Sequence, residues 1–361
     1  EEWVFGCNPA SKNQTEEIVE IPKVNLVQTA ELLHTWIAAG NAKPVILWGA
    51  PGIGKSAVIK ALADTLEYGF IDLRLSQLEA VDLRGVPTVN NGVTTWNVPS
   101  SLPQVETHGA YGILFLDEFF LGAPSVRAAA YQLLQDREVG DYRLPDGWII
   151  LAASNRPEDK AGIAGGQFDS ALTNRFAAHF EIVPDVDAWA EWALGNGVSP
   201  ELVAFIRFRP ELIHEFAEGG IPKGKVAYST PRSLVAADNW LKLELAPSLE
   251  QAALEGCIGA GVAAELAGFL QIVRTLPDVG SIISHPDTSD VPTETSTLYA
   301  LASLLGKRAD PSTFGAVIRY LSRTSEEFVI LAVSIATTRD ESLKATQAYI
   351  DFKINHKDIN I

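Results

Sequence analysis

A glycine-rich turn between an apolar run and a helix-like segment constrains this fold more than any other feature. The segment is ILWGAPGIGKSAVIKAL, residues 46–62. It matches G-x-x-x-x-G-K-[ST] in the order strand, loop, helix, the context in which this pattern forms a phosphate-binding loop. Glycines let the backbone N–H groups face one point, and the helix N-terminus adds positive potential. The candidate binding residues are Gly49, Ala50, Pro51, Gly52, Ile53, Gly54, Lys55, Ser56 and Ala57.

Short apolar runs alternate with helical patterns on both sides of this loop. The strand-like runs are PVILWG, GFIDLRL, YGILFLDE, GWIILAASN and AHFEIV. Strands that alternate with helices predict an α/β fold built on a doubly wound parallel sheet. Two hairpin patterns, near residues 86–99 and 137–147, interrupt the alternation, and the first contains the turn signal Asn91-Gly92. We expect both hairpins to project from the body.

The pattern becomes entirely helical after residue 184. We therefore predict an N-terminal extension over 1–22, an α/β domain over 23–184, and a helical lid with a C-terminal helical extension over 185–361. Within the last part, we expect CIGAGVAAELAGFLQIV to be one buried helix, EFVILAVSIATTRDESLKATQAYIDF to be helical and DVGSIISHPDTSDVPTET to be a polar loop. DSALTNRF is predicted to be a short helix before the last strand.

Composition limits the classes of function. The 361 residues carry a formal net charge of −17, which disfavours binding to a phosphate backbone in the absence of a local basic face. The cysteines are Cys7 and Cys257, whose separation suits neither a zinc site nor a disulfide framework and fits a reducing compartment. The sequence shows no signal-peptide pattern and no apolar run of membrane-spanning length, so we expect a cytoplasmic protein without a membrane partner.

Four side chains carry the expected phosphate chemistry. Lys55 should reach the β- and γ-phosphates of a nucleotide, and the Ser56 hydroxyl should bind Mg²⁺. The apolar strand ILFLDE delivers Asp117 at its carboxyl end, where ligands collect in parallel sheets. Asp117 would bind Mg²⁺ directly or through water, and Glu118 would polarise the attacking water.

Three further polar residues are candidates for the same reaction. Asn155 follows the strand ILAAS and could position water or contact the γ-phosphate, although an Asn at a strand end is often a turn residue. Arg175 precedes the last strand, where it could reach the nucleotide of a ring neighbour, and Arg232 begins a helix of the second domain. An arginine supplied across an interface stabilises charge on the transferred phosphate. The alternative for both arginines is a surface ion pair.

The motifs GAPGIGKS, ILFLDE, ILAASN, ALTNRF and STPRSL, in this order, resemble those of AAA+ ATPases over roughly residues 25–245. More narrowly the chain is similar to the MoxR group, in which a proline, here Pro124, opens a helix soon after the Asp-Glu pair, and in which two hairpins are inserted. The resemblance implies a P-loop NTPase core with an all-helical lid. It also implies Walker A roles for Lys55 and Ser56 and Walker B roles for Asp117 and Glu118. The resemblance further makes Asn155 sensor 1, Arg175 the arginine finger and Arg232 sensor 2.

The same resemblance implies ATP with Mg²⁺, a hexameric ring and a protein partner. Members of the group often work with partners that contain a von Willebrand A domain. Two departures stand out. Apolar Phe119, Phe120 and Leu121 follow the acidic pair where the family commonly has polar residues, and the Gly-Gln element that helps to seat the base is not visible in IPKVNLVQTA.

Three functions fit these features. The first is a ring ATPase that remodels a protein partner, with Trp96 on the first hairpin as a candidate substrate contact. The second is a nucleic-acid motor of the helicase or loader type, which the absence of Lys and Arg from VPTVNNGVTTWNVP disfavours. The third is a nucleotide-gated scaffold that does not hydrolyse. Lys223 and Lys225 could contact phosphate, although a solvated loop is the alternative.

Overall fold

The computed structural model describes residues 21–156, 159, 174–216, 220–221, 224–276 and 279–356. Its strands are β1 Lys23–Val24, β2 Val45–Gly49, β3 Gly69–Arg74, β4 Val86–Asn90, β5 Val93–Asn97, β6 Gly112–Asp117, β7 Glu138–Val139, β8 Tyr142–Arg143, β9 Trp148–Ser154 and β10 Ala178–Ile182. Its helices are α1 Leu26–Ala38, α2 Lys55–Thr65, α3 Ala80–Arg84, α4 Val105–His108, α5 Pro124–Asp136, α6 Val186–Gly195, α7 Pro200–Phe208, α8 Pro231–Leu241, α9 Pro247–Ile258, α10 Ala260–Thr275, α11 Val279–Ser284, α12 Thr295–Arg308, α13 Phe314–Leu321, α14 Glu326–Arg339 and α15 Gln347–Asn355.

Six strands form one parallel sheet in the order β1-β10-β2-β9-β6-β3. The predicted parallel α/β fold is therefore confirmed. The sequence did not indicate β1, because a strand of two residues is too short to show a period. The chain segments that follow β2, β9 and β6 leave neighbouring strands at the same edge, so the motifs at these strand ends meet there.

Helices cover both faces of the sheet. Val45 and Leu47 of β2 face one core, which α1 and α2 complete. Ile46 and Trp48 of the same strand face the other core, which α5 completes. Alternate residues of β2 thus point to opposite buried layers, which explains why this strand is continuously apolar.

Both predicted hairpins are present. β4 and β5 pair in antiparallel register from Val86 with Asn97 to the turn, where Asn91 and Gly92 have φ values of 50° and 78°. Two positive φ values in succession are typical of a type I′ turn, which suits Asn-Gly. β7 and β8 form the second hairpin, and its Asp141 carboxylate accepts a hydrogen bond of 2.7 Å from the backbone N–H of Trp96. The two hairpins therefore contact each other.

The described part of the chain after β10 is helical, and its apolar residues from Trp189 to Phe352 form one core. The prediction of one helix over CIGAGVAAELAGFLQIV is wrong, because the helix breaks at Gly259, between α9 and α10. Gly259 has a φ of 81°, and a Cβ there would lie 2.8 Å from the Ala227 carbonyl oxygen. The close approach of another backbone therefore requires glycine and ends the helix.

A further prediction in the helical region needs correction. α11 lies inside the segment that was predicted to be a loop, because Val279 and Ile282 are buried in the helical core. The segment EFVILAVSIATTRDESLKATQAYIDF is helical over most of its length, as predicted, and α14 ends where the Asp340 carboxylate accepts a hydrogen bond from the Ser342 N–H at 3.0 Å. A side chain that caps the next turn in this way competes with helix continuation.

Several predictions fall outside the described residues. Residues 1–20 of the predicted extension, Cys7 and most of DSALTNRF are among them. β10 ends at Ile182 and α6 begins at Val186, and the division of the chain into domains stays a prediction. No helix in the described ranges is long and apolar enough to cross a membrane.

Candidate functional site

The glycine-rich loop joins β2 to α2 and is held close to the helical region. Gly52 has a φ of 79°, and a Cβ there would lie 2.8 Å from the Thr230 hydroxyl oxygen. Gly54 has a φ of 111° and immediately precedes α2. Side chains at either position would be strained, so the glycines are required by the shape of the loop and by its contact with Thr230.

Lys55 begins α2 and is 8% exposed. Its ammonium donates hydrogen bonds to the carbonyl oxygens of Gly49 at 2.7 Å and Ala50 at 3.1 Å, and to Asn155 Oδ1 at 3.1 Å. Burial lowers the pKa of Lys55 from 10.5 to about 8, and the negative charge of Asp117 opposes that change. The ammonium is therefore predominantly charged at neutral pH although it is desolvated.

Ser56 and Asp117 lie together at the edge of the sheet. The Ser56 hydroxyl donates to Asp117 Oδ2 at 2.8 Å, and the Glu118 N–H donates to Asp117 Oδ1 at 2.8 Å. Hydroxyl and carboxylate oxygens are ligands that Mg²⁺ prefers, and protein sites for Mg²⁺ use few of them beside substrate phosphates. This pair fits that donor set.

Glu118 has a φ of 52°, in the left-handed region, so the chain turns sharply after β6. Its carboxylate accepts a hydrogen bond from the hydroxyl of Ser76, which follows β3, the neighbouring strand. Asp72 on β3 also belongs to this edge. Burial first, then the negative charges of Asp117 and Glu118, raise the pKa of Asp72. Sequence reasoning missed Ser76 and Asp72, because neither belongs to a contiguous motif.

The residue after Asn155 anchors a buried ion-pair network. The Arg156 guanidinium donates to Asp159 Oδ1 at 2.7 Å and to Asp159 Oδ2 at 3.1 Å, and it also pairs with Glu181 on β10 at 3.1 Å. Arg156 is 6% exposed and Asp159 is 3% exposed. The same guanidinium lies 3.4 Å from the Phe216 carbonyl oxygen, so the network extends from β9 to the helical region. The sequence analysis did not single out Arg156.

The helical region contacts two consecutive residues of the loop, Pro51 and Gly52. The Arg232 N–H donates to the Gly52 carbonyl oxygen at 3.2 Å, while the Arg232 side chain is exposed. Arg232 lies in the first turn of α8, where Thr230 is the capping residue. His214 Nε2 lies 3.1 Å from the Pro51 carbonyl oxygen. His214 belongs to no motif, so sequence reasoning missed it.

Arg175 lies apart from these residues. Its guanidinium carbon is 5.2 Å from the ring centroid of Tyr131 on α5. Phe176 packs edge to face with Phe119 at 5.4 Å and fixes the chain beside it. The contacts given by the described residues do not join Arg175 to the glycine-rich loop, so its expected role toward a neighbour's nucleotide stays a prediction.

The remaining candidates have local partners. Lys225 lies 3.5 Å from a Glu215 carboxylate oxygen, and its ammonium lies over the Phe216 ring at 5.5 Å. These contacts favour the alternative in which Lys225 belongs to a loop. Lys223 lies outside the described residues. Trp96 is half-buried beside the second hairpin, and its role as a substrate contact stays a prediction.

The sheet order, the loop between β2 and α2 and the helical C-terminal region define a P-loop nucleotide-binding fold of the AAA+ type. Residues 45–183 match the family described as "ATPase family associated with various cellular activities (AAA)". This part of the chain is therefore an AAA ATPase family domain, which confirms the broader of the two resemblances found in the sequence.

Curated relatives match the chain over parts of their length. Midasin from Giardia intestinalis is 27% identical over 163 residues, which are 43% of this chain and 3% of that protein. The ATP-dependent zinc metalloprotease FtsH from Syntrophus aciditrophicus is 31% identical over 38% of this chain and 19% of that protein. The proteasome-activating nucleotidase from Methanocella arvoryzae is 30% identical over 46% of this chain and 40% of that protein. The chain thus spans less than half the length of each.

Solved structures resemble the chain only weakly. The RuvB Holliday junction branch migration motor of Thermotoga maritima has a TM-score of 0.37 and 17% identity, and the match covers 82% of this chain and 86% of that one. NtrX from Brucella abortus has a TM-score of 0.41 and 15% identity, with 89% and 67% covered. Likenesses of this size say nothing about function.

Proposed function

We propose that this chain is a MoxR-like ATPase that hydrolyses ATP with Mg²⁺ at the subunit interfaces of a ring, a hexamer by family resemblance, and thereby remodels a protein partner. One observation carries the proposal. At the ends of adjacent strands, Lys55 contacts Asn155 and Ser56 contacts Asp117. Motifs separated by up to a hundred residues therefore converge on the loop whose backbone N–H groups suit a triphosphate.

Each residue has a distinct role in the proposed reaction. Lys55 exchanges its carbonyl partners for β- and γ-phosphate oxygens, and Asn155 orients the attacking water. Glu118 accepts a proton from that water while the water oxygen bonds to the γ-phosphorus. The bond from the γ-phosphorus to the bridging oxygen breaks, and ADP and inorganic phosphate leave. Bound Mg²⁺, held by Ser56 and Asp117, would neutralise charge on the phosphate oxygens.

Two arginines complete the proposed site. Arg232 is exposed on α8, whose backbone contacts the loop at Gly52, so its side chain is free to approach the γ-phosphate. Arg175 would reach the nucleotide of the neighbouring subunit and stabilise charge that develops on the transferred phosphate. This role requires a ring, since the described contacts of Arg175 lie within its own α/β domain.

The surface of the first hairpin supports a protein partner over a nucleic acid. Val89 is 72% exposed and Val93 is 62% exposed on either side of the turn. The hairpin from Val86 to Asn97 contains no Lys or Arg, and the chain carries a net charge of −17. A surface that binds nucleic acid needs positive charge to displace counterions, whereas exposed apolar side chains are typical of protein contacts. The names of two relatives also connect nucleotide use with proteolysis.

Release of inorganic phosphate tests the reaction. The wild-type chain should hydrolyse ATP only when Mg²⁺ is present. The turnover per chain should rise with protein concentration as a ring assembles. Glu118→Gln should bind ATP normally and lower the turnover by a factor of about 100 or more, because amide nitrogen cannot accept the proton. Lys60→Met on the exposed side of α2 is the matched control and should leave turnover unchanged.

The partner is tested with the Glu118→Gln variant as a trap. A pulldown with ATP, and with Lys55→Ala as the control that fails to bind nucleotide, should recover a protein that contains a von Willebrand A domain. Stimulation of turnover by DNA, lost as salt rises, would instead support the nucleic-acid motor. A wild-type chain that stays monomeric with nucleotide and releases no phosphate would overturn the proposal.

A further inference from the structure

His214 joins the helical region to the glycine-rich loop through a buried imidazole. Its Nε2 lies 3.1 Å from the Pro51 carbonyl oxygen, and its Nδ1 accepts a hydrogen bond of 3.2 Å from the Phe216 N–H. The residue is 3% exposed, so water does not replace either partner. His214 follows the turn Pro210–Ile213 and precedes α8, whereas Pro51 lies in the loop between β2 and α2.

The two partners fix the protonation state of the ring. A carbonyl oxygen only accepts, so Nε2 must carry a proton, and a backbone N–H only donates, so Nδ1 must offer its lone pair. Only the neutral imidazole with its proton on Nε2 satisfies both contacts. A second proton, on Nδ1, would face the Phe216 N–H and break that bond.

The surroundings also bear on the charge of the ring. Arg156 and Asp159 act on it with opposite signs, and the Tyr228 ring packs against it with centroids 6.4 Å apart. Burial is the largest influence and lowers the pKa of His214, followed by the opposing effect of the Pro51 carbonyl. The neutral ring is therefore the stable form at neutral pH, and a charged ring is expected only in acid.

We propose that neutral His214 is a positioning residue that holds the Pro51 carbonyl and thereby fixes the loop in the shape that binds the nucleotide phosphates. The inference rests on the proposed function, because it concerns the affinity of that same loop for ATP. His214 touches no reacting atom. Its effect is on how tightly ATP binds and on how that affinity depends on pH, whereas the rate of the bound complex depends on other residues.

Two substitutions separate the hydrogen bonds from the charge. His214→Ala removes both bonds and leaves the Pro51 oxygen and the Phe216 N–H without this partner, so the Kd and KM for ATP should rise about tenfold, with kcat changed less than about twofold. His214→Gln offers an amide N–H donor and a carbonyl acceptor but does not titrate. It should retain the affinity of the wild-type chain at about pH 8.

The pH profile is the readout that a merely structural role would not move. A fluorescent ATP analogue is titrated into each protein between about pH 8 and about pH 5, below the usual pKa of histidine. Protonation of the nucleotide and of other side chains affects every protein alike. The wild-type chain should therefore lose at least about threefold more affinity in acid than His214→Gln does. His34→Gln, a change of an exposed histidine on α1, should follow the wild-type profile.

Two results would overturn this inference while leaving the proposed function intact. One is an unchanged Kd for folded His214→Ala at about pH 8, and the other is an equal loss of affinity in acid for His214→Gln and the wild-type chain. Circular dichroism would show whether His214→Ala folds. If it does not, the loss of ATP affinity in acid, compared between His214→Gln and the wild-type chain, still tests the inference. If the wild-type chain itself binds no ATP, the proposed function fails and this inference fails with it.

Discussion

Lys55 should make the free energy of unfolding rise with pH above about pH 8, and Lys55→Met should lack this rise. Its folded pKa of about 8 lies about 2.5 units below the value of 10.5 for an unperturbed lysine. Between these two values the unfolded chain binds the proton and the folded chain releases it, so the free energy of unfolding increases with pH. At 1.36 kcal/mol per unit, the full increase is about 3.4 kcal/mol.

Urea unfolding of the nucleotide-free protein at about pH 7.5 and about pH 9.5 measures about half of this effect. Over that interval the two pKa values give an increase of about 1.8 kcal/mol for the wild-type chain relative to Lys55→Met, in which the group is absent. Other titrating groups contribute to both proteins and cancel in the difference. Lys60→Met, which removes an exposed lysine from the same helix, should run parallel to the wild-type chain.

Saturating ATP should reduce the difference in pH dependence between the wild-type chain and Lys55→Met. The phosphate oxygens stabilise the Lys55 ammonium and return its pKa toward the ordinary value. The reasoning is refuted if the wild-type chain and Lys55→Met show the same pH dependence within about 0.5 kcal/mol without nucleotide. That outcome would mean that the lysine is solvated in the free protein and that its three oxygen contacts do not hold it in the loop.

Two other substitutions test contacts that frame the site. Asp159→Asn should lower the free energy of unfolding by about 3 kcal/mol, because it leaves the buried Arg156 guanidinium short of one counter-charge, whereas Asp64→Asn in an exposed pair should cost less than about 1 kcal/mol in the same urea titration. Tyr131→Leu removes the aromatic ring that lies against the Arg175 guanidinium, a contact of about 1 kcal/mol. Turnover of the assembled protein should fall several-fold, with the Kd for ATP unchanged. Unchanged turnover would exclude a role for this ring.

The sequence predicted those parts of the fold that repeat or stay contiguous. The buried strands are visible as apolar runs because both faces of the sheet are covered, and the loop after β2 keeps its glycines and Lys55 within eight residues. The pair Asn91-Gly92 predicted the first hairpin, because few other residue pairs accept two positive φ values in succession. These features depend on residues that are neighbours in the sequence, so a short segment is enough to predict them.

Contacts between distant segments could not be predicted in the same way. Gly259 ends a helix because the Ala227 backbone passes beside it, and a helical pattern contains no sign of that approach. Ser76 and His214 belong to the site only because the fold carries β3 and the segment before α8 to the loop. Asp117 was found because it ends a strand of recognisable type, whereas these two residues stand in segments without a diagnostic pattern.

The free loop is held by internal contacts that nucleotide binding must partly exchange. Lys55 is bonded to Gly49, Ala50 and Asn155, and the Ser56 hydroxyl is bonded to Asp117. In the proposed complex, phosphate oxygens would replace oxygen partners of the Lys55 ammonium, which has three donors. Mg²⁺ would bind lone pairs of the Ser56 hydroxyl and the Asp117 carboxylate. The helical region contacts other groups of the loop, the carbonyl oxygens of Pro51 and Gly52, which are not among these partners of Lys55 and Ser56. In the proposed reaction, nucleotide binding would therefore exchange the first set of contacts and leave the second in place, so that a change in loop shape would pass to α8.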